Sequence, residues 1–273
     1  MKMQLSRLLL GGIAALLVVA PASAKLEIVN IKAAYGPLGP DRKEQTKIEV
    51  YPTEQLFFRY MVAGASVDDK GNIKGTFQVK VLDTDGKVQL DDKSPVQGLL
   101  ALGGGTFPGV ARVNFAPTVP PGKYRVLVTF TDSKRDETVS FEREVTVKPA
   151  AFAVINPQFF HDSQGKIAAP AGGHVNQTLF FRTQLIGFDH SQKKIETKMS
   201  LQVLDKDGKE LMPQALVAKA GTTDADEAAK ATSLNYNGNL ALNRAGDFTL
   251  RIVYTDEVAK KETKLELPIK VQD

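Results

Sequence analysis

The chain has 273 residues with 35 Lys and Arg against 31 Asp and Glu, a formal charge of +4, and neither Cys nor Trp. The absence of Cys excludes a disulfide framework, a thiol nucleophile, a thiolate metal site and a Cys for lipid attachment. The near balance of charge, with no basic block, argues against nucleic acid and anionic membrane as partners.

The chain opens MKMQLSRLLLGGIAALLVVAPASA. Lys2 and Arg7 form a positive start, Leu8 to Ala20 an apolar core, and Ala22-Ser23-Ala24 a small-x-small cleavage site. This layout predicts a secretory signal peptide over residues 1–24 and an extracytoplasmic protein, periplasmic or secreted. The apolar run falls short of the ~20 residues that a membrane span needs, so no span is expected after cleavage. Removing Lys2 and Arg7 from the 35 basic residues leaves 33 against 31 acidic ones.

Beyond the leader the sequence repeats itself. LEIVN at 26–30 is echoed by FAVIN at 152–156, and LFFR at 56–59 recurs at 179–182. VLDTDGK at 81–87 recurs as VLDKDGK at 203–209, and PGKYRVLVTFTD at 121–132 as AGDFTLRIVYTD at 245–256. Segments repeated in one order at a nearly constant offset indicate a duplicated unit long enough to be a domain. The predicted domains are residues 25–149 and 150–273, joined at Lys148-Pro149-Ala150-Ala151.

Within each unit the apolar residues alternate. Leu56, Phe58, Tyr60 and Val62 share one parity, as do Leu179, Phe181, Thr183 and Leu185; Phe57, Arg59 and Met61 are expected to face outward. Phe77, Val79 and Val81 correspond to Met199, Leu201 and Val203. Tyr124, Val126, Val128 and Phe130 alternate like Phe248, Leu250, Ile252 and Tyr254, and a polar turn after each leads into a further strand. Period two in such residues predicts half-buried strands. Only Asp224 to Ala231 suggests a short helical turn. The fold class is therefore all-β, two tandem sandwiches arising from an internal duplication.

Gly122-Lys123-Tyr124-Arg125-Val126 resembles the tyrosine corner of immunoglobulin-like sandwiches, with Val126 at the core position that Cys takes in antibody domains; the second copy has Phe248 and lacks the hydroxyl. Both units thus resemble Ig-like or macroglobulin-like exported domains as a class, a resemblance that carries no catalytic residues.

Candidate sites are few. Arg59 and Arg182 are candidate ligand anchors, since a guanidinium fork suits a carboxylate or phosphate. The alternative, favoured here, stacks each on an outward aromatic or pairs it with a cross-strand acid. Asp83-Thr84-Asp85-Gly86 and Asp205-Lys206-Asp207-Gly208 lack the further oxygen ligands of a Ca²⁺ loop and read as hairpin turns. His161 and His174 are weak metal candidates; His190 lies beyond an extended strand, so no metal and no cofactor are expected. Leu102 to Gly109 reads as a Gly-rich surface loop without phosphate-binding context, replaced in the second copy by Lys219 to Ala231. Asn176-Gln177-Thr178 is a glycosylation sequon in a host with that machinery.

With no catalytic constellation, the expected function is a non-enzymatic binding or structural module that presents loops and sheet faces to a protein or polymer partner. The alternatives are a periplasmic chaperone-like two-domain Ig protein, which would offer a long exposed hairpin strand, and a carbohydrate-binding module, which the absent Trp disfavours.

Overall fold

The computed structural model describes residues 25–273; the signal-peptide expectation over residues 1–24 lies outside the described residues. The first half forms strands β1 (Glu27–Ala34), β2 (Ile48–Val50), β3 (Gln55–Ala63), β4 (Asn72–Leu82), β5 (Val88–Leu99), β6 (Phe107–Asn114), β7 (Gly122–Asp132) and β8 (Glu137–Val147). The second forms β9 (Ala153–Phe160), β10 (Ala168–Ala169), β11 (Gly172–His174), β12 (Thr178–Ile186), β13 (Ile195–Leu204) and β14 (Leu216–Thr222). A one-turn helix α1 (Ala225–Lys230) then leads to β15 (Ser233–Ala241), β16 (Gly246–Asp256) and β17 (Lys261–Gln272).

These strands make four sheets, and no pairing joins a strand of residues 27–147 to one of residues 153–272. In the first half β1-β3-β6 faces β2-β8-β7-β4-β5; in the second β10-β9-β12-β15 faces β11-β17-β16-β13-β14. The two five-stranded orders correspond strand for strand, including the parallel pairings of β2 on β8 and β11 on β17. The correspondence reaches the backbone: Asn30 and Asn156 sit at the bulges of β1 and β9 with φ of 55° and 51°. Asn tolerates this left-handed conformation better than other non-glycine residues. The architecture is an all-β, Ig-like sandwich in each half.

The alternation of the sequence becomes burial. Tyr124, Val126, Val128 and Phe130 are buried, as are Leu250, Ile252 and Tyr254. The Tyr124 hydroxyl donates to the Pro120 carbonyl at 2.9 Å, the hydrogen bond of a tyrosine corner. One parity expectation is corrected: Phe57 is buried at 6% exposure instead of facing solvent, because its strand lies against the second half, where Phe57, Gly36, Gln158 and Phe160 line one pocket. The Gly-rich loop is also shorter than expected. Phe107 to Gly109 belong to β6, and the Phe107 ring packs edge-on against Phe130 at 5.5 Å.

Each sandwich is stapled by one buried carboxylate. Asp132, at the end of β7, is 1% exposed; its Oδ2 accepts from the Ser66 N–H at 2.6 Å, just beyond β3 of the opposite sheet. Its Oδ1 accepts from the Lys134 and Arg135 N–H groups of the hairpin turn. Asp256 repeats the arrangement at 1% exposure, accepting from Asp189 N–H at 2.7 Å and from Val258 and Ala259. Burial of Asp132 works against its ionised form, but the converging N–H donors outweigh this and hold its carboxyl below the usual carboxylate range.

The two cores fill the same space differently. In the first, the Tyr60 ring lies over Gly109, where an added Cβ would approach it to 2.2 Å, and Phe130 lies over Gly75. In the second, Thr183 stands opposite Tyr236, so bulk has moved to the neighbouring strand, and Thr197 stands opposite Asp256 where Gly75 stands opposite Asp132. The buried hydroxyls then find partners: Tyr254 with Thr183, and Tyr236 with Thr197 at 2.7 Å. Among the described residues the buried Tyr60 hydroxyl has no hydrogen-bond partner, and burial pushes its pKa up.

Two outcomes follow for stability. Tyr60→Phe removes an unpaired buried hydroxyl and should leave the denaturation midpoint unchanged or raise it, whereas Tyr254→Phe strands Thr183 and should lower stability by about 1 kcal/mol. Asp132→Asn turns an amide N–H toward the Ser66 N–H and should cost about 1–3 kcal/mol at neutral pH. The Asp132 carboxyl is depressed in the folded state, so its contribution is complete above the unfolded value near 3.9 and is lost as pH falls through the lower folded value. Urea melts from pH 7 to pH 2 should show a shallower acid loss for Asp132→Asn than for wild type.

Candidate functional site

Arg59 and Arg182 occupy equivalent places on β3 and β12, and each has internal partners. Arg59 Nη1 lies 3.3 Å from Asp41 Oδ1, and the same carboxylate takes Lys32 Nζ at 3.1 Å from the paired strand β1. Arg182 Nε donates to Asn237 Oδ1 at 2.9 Å on β15, its Nη2 reaches the Gln164 carbonyl at 3.4 Å, and its Cζ lies 5.4 Å from the centre of the Phe160 ring. One Arg is thus held by a carboxylate and the other by an aromatic ring and an amide, the arrangement that outward sheet positions favour.

The Asp-Gly segments are turns: Asp83 Oδ1 accepts from Asp85 and Lys87 N–H groups, and Asp205 Oδ1 from Asp207 and Lys209. A carboxylate capping its own turn has its acceptors occupied by the chain. His174 Nδ1 lies 2.9 Å from the Asp273 carbonyl and His190 Nδ1 2.8 Å from the Ala228 carbonyl. His161 contributes its backbone N–H to the Ile167 carbonyl. Among the described residues, no group of three or more His, Asp or Glu side chains converges as a metal site would require. None of their helices is long and apolar enough to cross a membrane.

Sequence reasoning missed the junction between the halves. Arg42 and Glu54 are 8% and 3% exposed and form an ion pair at 2.5 Å, with Arg42 Cζ 4.3 Å from the centre of the Tyr35 ring. Glu54 Oε2 also accepts from Tyr51 N–H, and Tyr51 packs on Ala153, Ile155 and Ile186 of the second half. The bulge residue Asn156 completes the joint: its Oδ1 accepts from Gln55 N–H at 2.8 Å and its Nδ2 donates to Gln184 Oε1 at 2.9 Å. The positive φ is what turns this side chain out of its own strand. The repeated IVN/VIN echo was the available signal, but nothing in it says that only the second Asn has a partner.

The edges of the two five-stranded sheets differ in chemistry. β5 runs 12 residues and carries Asp91, Asp92, Lys93 and Pro95. Its counterpart β14, LVAKAGT, has Lys219 as its single charge and leaves Leu216 and Val217 at 57% and 56% exposure. Charges and Pro on an edge discourage strand addition; their scarcity leaves unpaired backbone groups beside apolar side chains.

No protein-family model matches the chain, and no curated protein matches its sequence. Among solved structures it is similar to a transglutaminase from red sea bream, at 8% identity and a TM-score of 0.29, over 92% of this chain and 32% of that one. It is also similar to a mutant alpha-2-macroglobulin from Salmonella, at 11% identity and a TM-score of 0.30, over 85% of this chain and 16% of that one. The C-terminal domain of wzt is 14% identical with a TM-score of 0.29, over 45% of this chain and 74% of that one. This chain thus spans about a third of the transglutaminase and a sixth of the macroglobulin. Values this low carry no argument about activity.

With their partners internal, Arg59→Ala and Arg182→Ala should each lower stability by ~0.2–1 kcal/mol through the lost pair and the lost packing of the stem. Thermal melts of the two variants check this. A wild-type midpoint for both would mean that the contacts do not stabilise the fold.

Proposed function

We propose that the protein is a non-enzymatic, exported binding module, built from two copies of one ancestral sandwich, that holds a protein partner along the free edge of β14. The observation that carries this reading is the unguarded edge: a seven-residue outer strand with Leu216 and Val217 exposed and one charge, where the matching strand β5 carries three charges and a Pro. Such an edge suits an extended segment of a partner, with main-chain hydrogen bonds supplying affinity and side chains beside the strand supplying selectivity. The signal-like leader supports export, and the repeated segments support the duplication.

The joint made by Arg42, Glu54, Tyr51 and Asn156 gives such a module a defined relation between its halves. Three contacts couple the first sandwich to the one that bears the edge, the hydrogen bonds of Asn156 with Gln55 and Thr53 and the packing of Tyr51 on Ala153, Ile155 and Ile186, while Glu54 holds Tyr51 from within the first half.

The test is affinity capture from the native envelope with wild type, Leu216→Lys/Val217→Glu, and Val88→Glu on the guarded edge as control. Surface charge at an edge should leave the stability within about 0.5 kcal/mol of wild type, checked by thermal melts. Capture should be lost for the β14 variant and retained for the β5 variant. A partner held equally well by the folded β14 variant would overturn the edge as the binding surface.

A further inference from the structure

The second sandwich has an open end that the first sandwich closes. In the first half, the Phe115 and Tyr124 rings are both 5% exposed and pack edge-on at 6.3 Å, and the Tyr124 hydroxyl draws in the Pro120 carbonyl. Val119, from the same loop, packs on the core. Backbone hydrogen bonds identify the counterpart of Phe115 without ambiguity. Phe115 bonds Thr53 and Glu54 through its C=O and N–H, and Leu242 bonds Asn176 and Gln177 in the same way.

Three changes open this end of the second half. Leu242 replaces the Phe115 ring, Phe248 replaces Tyr124 without a hydroxyl to pull the loop inward, and five residues separate Leu242 from Phe248 where eight separate Phe115 from Tyr124. The result is a cleft of about 490 Å³ between the sheets, walled by Val203, Met212, Leu240, Leu242, Phe248 and Val271. That volume falls within the roughly 300–1,000 Å³ of small-molecule sites. Five of the six walls are aliphatic or thioether side chains, which suit a flexible chain more than a planar ring.

The cleft carries one charge. Arg244 stands on its lining with its guanidinium 5.4 Å from the centre of the Phe248 ring, is exposed, and among the described residues forms no ion pair with an acidic side chain. A guanidinium beside a ring still has its N–H fork available, and this fork matches a carboxylate in two parallel hydrogen bonds. Asn243 beside it offers a further amide donor. A slot with mostly aliphatic walls and a cation on its lining has the complementary chemistry for an amphiphile with an anionic head.

We infer that this cleft binds an aliphatic carboxylate, its chain between the two sheets of the second sandwich and its head on Arg244. The site is separate from the β14 edge and holds whether or not that edge takes a partner.

Titration calorimetry of the full chain with n-decanoate below its aggregation concentration tests the inference, with octanoate, hexanoate and n-decanol for comparison. Affinity should rise about three- to fourfold per added methylene until the slot is filled. Decanoate should bind at least tenfold more tightly than decanol. Arg244→Gln should remove that preference while leaving decanol binding unchanged, and Arg244→Lys should restore part of it. Met212→Trp, at a half-buried wall position, should block both ligands, and circular dichroism melts confirm that each variant is folded. Absence of binding, affinity independent of chain length, or an unaltered carboxylate preference in folded Arg244→Gln would overturn the assignment. So would displacement of decanoate by short peptides at lower concentration than by its own homologues, which would make the site one for a peptide C-terminus.

Discussion

The two sheets of each sandwich are held at one corner by a carboxylate that water does not reach. Burying an ionised Asp is unfavourable unless its oxygens are satisfied, and Asp132 and Asp256 meet this condition with N–H donors from two directions. One oxygen organises the hairpin turn that follows its strand; the other bonds the chain as it leaves the opposite sheet. A single residue therefore sets the turn, the end of a strand and the spacing between sheets. With no disulfide available, this hydrogen-bonded corner does what a covalent staple does in many exported sandwiches. It keeps the sheets in fixed register at one end, while the apolar layers fill the space between.

Around that common corner the two cores diverge by exchanging volume between neighbouring strands. Tyr60 beside Gly109 in one half and Thr183 beside Tyr236 in the other fill corresponding space from opposite strands. Close packing requires such exchanges to be paired, because a ring added without a glycine opposite would collide and a ring lost would leave a void. Hydroxyls impose a second condition. The second core pairs both of its buried tyrosine hydroxyls with threonines, and the first leaves that of Tyr60 alone. The halves are thus alike in backbone and different in how well their polar groups are matched.

The same contrast separates scaffold from function. Where the halves agree, in strand order, Asp-Gly turns, bulge asparagines and corner aspartates, the residues serve the fold. Where they disagree, one half leaves accessible what the other half covers or guards. The β14 edge lacks the charges and Pro of β5, the far end of the second sandwich lacks the ring and hydroxyl that close the first, and Asn156 has a partner across the junction while Asn30 is exposed. Arg59 and Arg182 show the converse: identical in sequence, they are satisfied by a carboxylate in one half and by a ring and an amide in the other.

The sequence by itself determined the strands around Phe58, Val79, Val128 and Val145 with their second-half counterparts, the Asp-Gly turns, the short helix and the matching of the segments, because these depend on period-two alternation and on local turn chemistry; it did not mark β14, whose Lys219 to Thr222 read as part of a loop. The corner Tyr124 was legible for the same reason, its partner Pro120 lying four residues away. Tertiary structure alone decided the rest. The burial of Phe57 reverses its parity because a second body covers the outer face of its strand, and alternation cannot register a neighbour beyond the sheet. The Arg42–Glu54 pair joins residues that look like ordinary surface charges in a polar loop, and only the folded first half buries them, against Tyr35, the Glu49 carbonyl and the Tyr51 N–H. The cleft beside Arg244 arises from a three-residue shortening and two ring changes that read as conservative in the chain. They become a cavity only when two sheets hold their spacing while the material between them is removed.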